Sequence, residues 1–361
     1  MVIFMKTSKN QKHERDQLNK RTVLHTSLCA GITGIACLFI GAGTDSFILT
    51  AVIITVIIFA LNFTLRCPEE FISKKINIKK WQKRFYLILL LVINVSVIIL
   101  SLTYAVQDRI IFYNVNDPES REFLLEKPDY SEVMFTSENG KTYHGMLFKQ
   151  IDGTAPLIIY FGGNGECSYQ HMRLRDQRGY YSGYNYMFID YEGYGLNKGS
   201  PHYLNMYEQS LAVFDYASSL ADTDSGRIIV MGYSLGTGCA VYLAASRPAA
   251  GLILAAPYAS GYDLYNNALP VFKGPFRLLV KQKLPSDQFA RRVSCPVLII
   301  ASQTDEIIPF SSSKRLSQLF SGSVDFMELD NVNHNGIFRA EGVYDRVQLF
   351  LDKEDFKKLK L

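Results

Sequence analysis

From Tyr130 onward, short apolar runs alternate with amphipathic stretches, a pattern that predicts an α/β fold with a mostly parallel sheet and helices on both faces. Three continuous apolar runs, Pro156 to Phe161, Tyr184 to Asp190 and Pro296 to Ile300, read as central strands buried on both faces. A fourth run, Arg227 to Met231, ends in Gly232-Tyr233-Ser234-Leu235-Gly236 and is followed by a helix-forming stretch, Thr237 to Ser246.

Taken in order, Glu132 to Ser137 and Thr142 to Phe148 read as an antiparallel edge pair. The strand from Pro156 opens into the glycine loop Gly162-Gly163-Asn164-Gly165-Glu166. Tyr203 to Leu220 has the apolar stripe of an amphipathic helix. After the helix at 237–246, Gly251 to Ala255 reads as a strand. The connection from Tyr258 to Ser294 is longer than usual and rich in aromatic and aliphatic residues, among them Tyr262, Tyr265, Phe272 and Phe276. It predicts a cap at about 258–294. The strand Val324 to Leu329 and a helix from Glu341 to Leu351 complete the pattern. The eight tyrosines between Tyr180 and Tyr207 read as aromatic packing.

The segment 232–236 is G-x-S-x-G in its required setting of strand, sharp turn and helix. The glycines flank a serine whose backbone must be strained, because a side chain at either position would meet the adjoining strand or helix. A serine hydroxyl becomes a useful nucleophile when an imidazole takes its proton, and the imidazole needs a carboxylate to orient it. In this motif the partners follow in the chain order serine, acid, histidine. Of six histidines only His334 lies after Ser234, in the polar loop from Asp330 to Gly336. Asp305 lies in the loop after the strand at 296–300, at the carboxyl end where parallel sheets bind ligands. Glu306 is the second choice of acid, and Asp263, Asp287, Asp325 and Asp330 qualify only by residue type. An oxyanion hole then requires two backbone N–H groups. Leu235, after the serine, and Asn164, in the glycine loop, are the residues expected to supply them.

With these stretches in view, residues 107 to 351 resemble the membrane-anchored α/β-hydrolases, the group that includes protein depalmitoylases and lipases acting on monoacylglycerols and lysophospholipids. The resemblance is carried by Gln107 to Tyr113, by Asp190-Tyr191-Glu192-Gly193-Tyr194-Gly195 with Lys198 to Pro201, by the serine turn, by Ala255 to Ser260, and by Pro296 to Pro309. It implies an α/β-hydrolase fold and a serine hydrolase that cleaves acyl esters or thioesters of lipids or acylated proteins. Its glycine loop departs from the family pattern, beginning Gly162-Gly163 where His-Gly is usual. A serine peptidase of the same fold and a non-catalytic membrane scaffold are the alternatives.

Three apolar segments precede this region, at about 22–43, 46–65 and 85–106, each near the 20 residues that cross a bilayer. They predict three transmembrane helices and a bilayer partner. Residues 1–21 carry six Lys or Arg against two acids, and 66–84 carry seven against two. By the positive-inside rule the basic tail is cytoplasmic and the hydrolase domain lies on the far side, periplasmic at a bacterial inner membrane. These two segments account for more than the whole net charge of +4, so the basic surplus gives no reason to expect nucleic acid. No CxxC or Cys/His cluster points to a metal, and the chemistry read here needs no cofactor.

Overall fold

The computed structural model describes residues 111–268, 272–274 and 280–353, with isolated positions between 81 and 108 and at 277. The chain divides into two compact units, 1–107 and 108–361. Of the three expected membrane spans, 22–43 and 46–65 lie outside the described residues, and 85–106 is described only at scattered helical positions. A span requires about 20 continuous apolar residues in one helix. Among the described residues no helix is long and apolar enough to cross a membrane. The expected fold is corrected accordingly: the sheet with its helices stands, and the three transmembrane helices do not.

The second unit is built on an eight-stranded sheet in the order β1-β2-β4-β3-β5-β6-β7-β8. The strands are β1 (Tyr130–Thr136), β2 (Thr142–Phe148), β3 (Ala155–Phe161), β4 (Asn185–Ile189), β5 (Thr223–Tyr233), β6 (Gly251–Ala255), β7 (Val297–Ser302) and β8 (Val324–Leu329). β1 and β2 pair antiparallel, as does β2 with β4, and the remaining pairs are parallel. β3, β4, β6 and β7 are buried at every position, as expected of parallel strands covered on both faces. Each fully buried Ile, Leu or Val in them is worth about 1.5–3 kcal/mol against its exposed state.

The helices are α1 (Pro118–Leu125), α2 (Ser168–Arg178), α3 (Tyr203–Ser219), α4 (Gly236–Ala244), α5 (Gly261–Ala268), α6 (Ser286–Phe289), α7 (Phe310–Ser317) and α8 (Val343–Leu351). α1 starts at Asp117, whose carboxylate accepts the Ser120 N–H at 3.0 Å, with Pro118 in the first helical position. α2, α1 and α7 fall in stretches for which the periodicity gave no helix. α2 has Cys167 at its N-cap, which makes no side-chain cap. Asp190, arriving from the end of β4, serves instead: its carboxyl accepts the Ser168 N–H at 2.6 Å and the Ser168 hydroxyl at 2.7 Å.

Asp190 is fully buried, and that burial lifts its pKa to about 7, against the downward pull of the Ser168 hydrogen bonds. An unfolded aspartate titrates near 3.9, so between about pH 4 and 7 the folded chain holds a proton that the unfolded chain has released. The stability this group contributes is complete below about pH 4 and is lost as the pH rises through 7. We expect urea denaturation to show the chain losing stability between about pH 4 and 7, by up to about 1.4 kcal/mol per pH unit from this group, with the loss levelling off above pH 7. Asp190→Asn, which keeps an acceptor for Ser168, should show a flatter profile over the same window. Parallel profiles would remove the assignment.

Candidate active site

The serine turn is fixed by the meeting of β5, α4 and β3. Ser234 follows the last residue of β5 with φ +49°, in the left-handed region that a residue with a Cβ enters only under constraint. Its N–H donates to the Ala255 carbonyl of β6 at 2.9 Å, and its own carbonyl accepts the Thr237 N–H and hydroxyl at 3.0 and 2.6 Å. Gly236 lies hard against β3: a Cβ there would come within 2.1 Å of the Phe161 carbonyl oxygen. No relaxed side chain fits in that gap.

The structure brings the three predicted side chains together across separations of about a hundred and about thirty residues. His334 Nε2 lies 2.9 Å from Ser234 Oγ, and His334 Nδ1 lies 2.8 Å from Asp305 Oδ2 and 3.0 Å from Oδ1. The side chains of His334 and Asp305 are 5% and 2% exposed. Asp305 is held from below, its Oδ1 accepting the N–H groups of Ile307 and Ile308 at 2.9 and 2.8 Å. The loop expected around His334 is in fact a 3-10 turn, His334–Arg339.

Glu306, the second-choice acid, does not touch the imidazole. It accepts the backbone N–H of His334 at 3.0 Å, and so fixes where the turn begins. Tyr233 completes the clamp by donating its hydroxyl to the His334 carbonyl at 3.0 Å, with its ring stacked on the imidazole at 5.3 Å. Two of the remaining acids are engaged elsewhere: Asp263 with Arg315 and Ser312, Asp325 with Arg346.

Leu235 is the N-cap of α4 and is buried, with its carbonyl accepting the Tyr258 hydroxyl at 2.9 Å. The glycine loop passes directly over the serine turn, since a Cβ on Gly163 would lie 2.9 Å from the Tyr233 ring and 3.6 Å from Ser234 Cβ. Asn164 is exposed, and its side chain works as a staple. It accepts the Tyr113 N–H at 3.0 Å and the Tyr194 hydroxyl at 2.7 Å, and donates to the Ile111 carbonyl at 2.5 Å. Tyr191 donates to the Gly162 carbonyl at 2.9 Å. The Asp190–Gly195 stretch is thus a support for this loop, a role that spacing alone did not disclose.

Behind the loop, Glu166 Oε2 accepts the Gly163 N–H at 2.7 Å and the Tyr160 hydroxyl at 3.0 Å. Burial opposes its charge, yet hydrogen bonding and charge attraction to His171, with the Gly163 and Tyr160 bonds, outweigh it and hold its pKa below the ordinary value. His171 is displaced downward too, because burial disfavours the imidazolium more than Glu166 favours it. Cys167, Cys239 and Cys295 are buried free thiols, and no metal-ligand cluster occurs among the described residues.

With this geometry in hand, comparison with known proteins becomes informative. Residues 197–330 match the model of the Dienelactone hydrolase family. An uncharacterised protein of Mycobacterium tuberculosis is 28% identical over 258 residues, covering 70% of this chain and 90% of its own length. The α/β-hydrolase domain-containing protein aho-3 of Caenorhabditis elegans is 30% identical over 176 residues, covering 49% of this chain and 51% of its own. Among solved structures, an esterase of Pyrococcus furiosus superposes with a TM-score of 0.53 at 16% identity, covering 66% of this chain and 95% of that one. Sheet order, serine turn and these likenesses agree that the chain is an α/β-hydrolase in fold, and the comparisons support a hydrolase. They do not extend to membrane anchoring or to the depalmitoylase and lipase group.

The tight approach at the serine turn has a measurable consequence. Gly236→Ala forces a Cβ into the Phe161 carbonyl, and should lower the unfolding free energy by at least about 1–3 kcal/mol, read from the urea midpoint. An unchanged midpoint would mean that the turn relaxes without cost.

Proposed function

We propose that the chain is a serine hydrolase that cleaves acyl esters or thioesters through Ser234, His334 and Asp305. The observation that carries this reading is the unbroken hydrogen-bond chain from Ser234 Oγ through both ring nitrogens of His334 to the Asp305 carboxylate, at 2.9 and 2.8 Å. In the acylation step His334 Nε2 takes the Ser234 proton as the oxygen attacks the acyl carbonyl. The tetrahedral intermediate collapses when the same proton passes to the leaving alcohol or thiol. Water then attacks the acyl-enzyme with His334 again acting as base, releasing the acid and restoring Ser234. Asp305 keeps Nδ1 protonated and faces the imidazolium as it forms.

The developing oxyanion is held by the N–H groups of Leu235 and Asn164. Leu235 is the first residue past the nucleophile, at the amino end of α4, where backbone donors are unpaired by helix geometry. Asn164 stands on the loop that crosses the serine turn and is braced from three sides by its own side chain. The described residues of the segment 258–294 supply the acyl-chain wall, while 269–271, 275–276 and 278–279, with the expected cap residue Phe276, lie outside the described residues. The segment's α5 is tied to the acid loop by Asn267, whose Nδ2 donates to the Glu306 and Ile307 carbonyls at 3.2 and 3.3 Å. Each methylene buried against that wall adds about 0.8 kcal/mol, which favours medium and long acyl chains.

A fluorophosphonate probe should label the wild type and fail to label Ser234→Ala. Ser234→Ala and His334→Ala should each lower kcat on p-nitrophenyl esters by on the order of 10⁴ to 10⁶. Persistent labelling of the serine variant would move the nucleophile elsewhere, and cleavage of amides in preference to esters would replace this reading with a peptidase. Across p-nitrophenyl acetate, butyrate and octanoate, kcat/KM should climb with chain length. A preference for acetate would remove the acyl wall.

A further inference from the structure

A second cavity, of about 360 Å³, lies over the sheet between α2 and the turn that carries His334. Its walls are aromatic: Tyr160, Tyr186, Tyr233 and Phe338 line it. Its charge is basic, because Arg175 and Arg178 enter from α2 and Arg339 from the 3-10 turn. Arg175 and Arg178 stand three residues apart, on one face of the helix with His171.

Arg175 is the informative residue. Its Nε and Nη2 are buried with no hydrogen-bond partner. Its guanidinium lies over the Tyr181 ring at 4.5 Å, a contact that accommodates the plane of the group but leaves these N–H donors unsatisfied. A buried donor without an acceptor is costly, and more so when it is charged. No carboxylate pairs with Arg175, Arg178 or Arg339 among the described residues. Glu166, the only carboxylate among the described lining residues, is already committed to Gly163 and Tyr160. The mouth is open to solvent, since Arg178 and Arg339 are exposed and Tyr344 is 40% exposed.

We infer that this cavity is a binding site for a small organic anion, with a phosphate or carboxylate head held by Arg175, Arg178 and Arg339 and an aromatic or apolar body against the tyrosine wall. The volume falls at the small end of ligand sites, which are commonly apolar with a few fixed polar groups. The guanidinium fork suits a planar or tetrahedral oxyanion. Such a ligand would join α2 to the turn bearing His334. Arg339 already donates to the Asn335 carbonyl at 3.0 Å, and Tyr233 separates the cavity from the imidazole. The site is therefore distinct from the serine turn yet shares a wall with it.

Isothermal titration of the full chain at constant ionic strength tests the assignment, with phenyl phosphate, inorganic phosphate and phenol as probes. Phenyl phosphate should bind saturably, at least tenfold more tightly than inorganic phosphate, and phenol should show no saturable binding. Ser234→Ala should bind phenyl phosphate as the wild type does. Arg178→Gln, at an exposed position that does not threaten folding, and Arg175→Gln should each weaken binding at least tenfold. Hydrogen exchange should slow in the peptide spanning 334–340 when phenyl phosphate is bound. The absence of saturable binding, wild-type affinity in both arginine variants, or loss of binding in Ser234→Ala would overturn the proposal. Inorganic phosphate binding as tightly as phenyl phosphate would overturn the aromatic half of it, and phenol doing so would overturn the anionic half.

Discussion

The contact of Gly236 with the carboxyl end of β3 is the constraint on which the rest of this unit turns. β3 and β5 run parallel in register from Leu157 opposite Ile228 to Phe161 opposite Gly232, and both chains leave the sheet at the same level. One leaves as the glycine loop and the other as the serine turn. Because Gly236 brings the start of α4 onto the Phe161 and Gly162 carbonyls, the two departures cannot be moved independently. The strained φ of Ser234 follows from that crowding. The hydrogen bonds of Ser234 to Ala255 and Thr237 hold the strain in place.

Around this contact four acids bond to backbone N–H groups. Asp190 caps α2, Glu166 holds Gly163, Glu306 holds the amide of His334, and Asp305 accepts two amides in addition to the imidazole. Each accepts from a backbone N–H that would otherwise be an orphan donor at an element end or a loop. The same arrangement explains the crowd of tyrosines. Tyr191, Tyr194 and Tyr233 give their rings to packing and their hydroxyls to the Gly162 carbonyl, Asn164 and the His334 carbonyl, so each fixes a loop at a point where no strand can. Tyrosine packing was legible in the composition; which loop each hydroxyl would hold was not.

Two arginines of α2, Arg175 and Arg178, do not follow this pattern, whereas Arg173 pairs with Glu119. Several other arginines of the unit meet carboxylates, as Arg121 meets Glu132 and Arg247 meets Asp215. Arg175 instead lies on tyrosine rings beside a cavity, with donors turned to no acceptor. Other buried polar atoms among the described residues also lack a partner, Tyr207 Oη and Arg346 Nε among them, but Arg175 is the one that lines this cavity with Arg178 and Arg339 beside it.

By itself the sequence determined the class of fold and the three side chains that meet at the serine turn. Apolar runs too continuous for a one-sided sheet demanded a sheet buried on both faces, G-x-S-x-G marked its sharpest turn, and chain order left one histidine. It also placed Asp305 ahead of Glu306, because a loop at a strand's carboxyl end faces the site. Hydropathy misled where it stood alone: apolar composition at 22–106 predicted three spans, and no described helix bears them out. Only the tertiary structure decided that Glu306 grips the backbone of His334, that Asn164 braces its loop through its side chain, and that Arg175 faces a cavity without a partner. Those facts depend on pairs separated by tens of residues, brought together by the order in which strands join the sheet. Local periodicity carries no record of that order, and so none of what it places side by side.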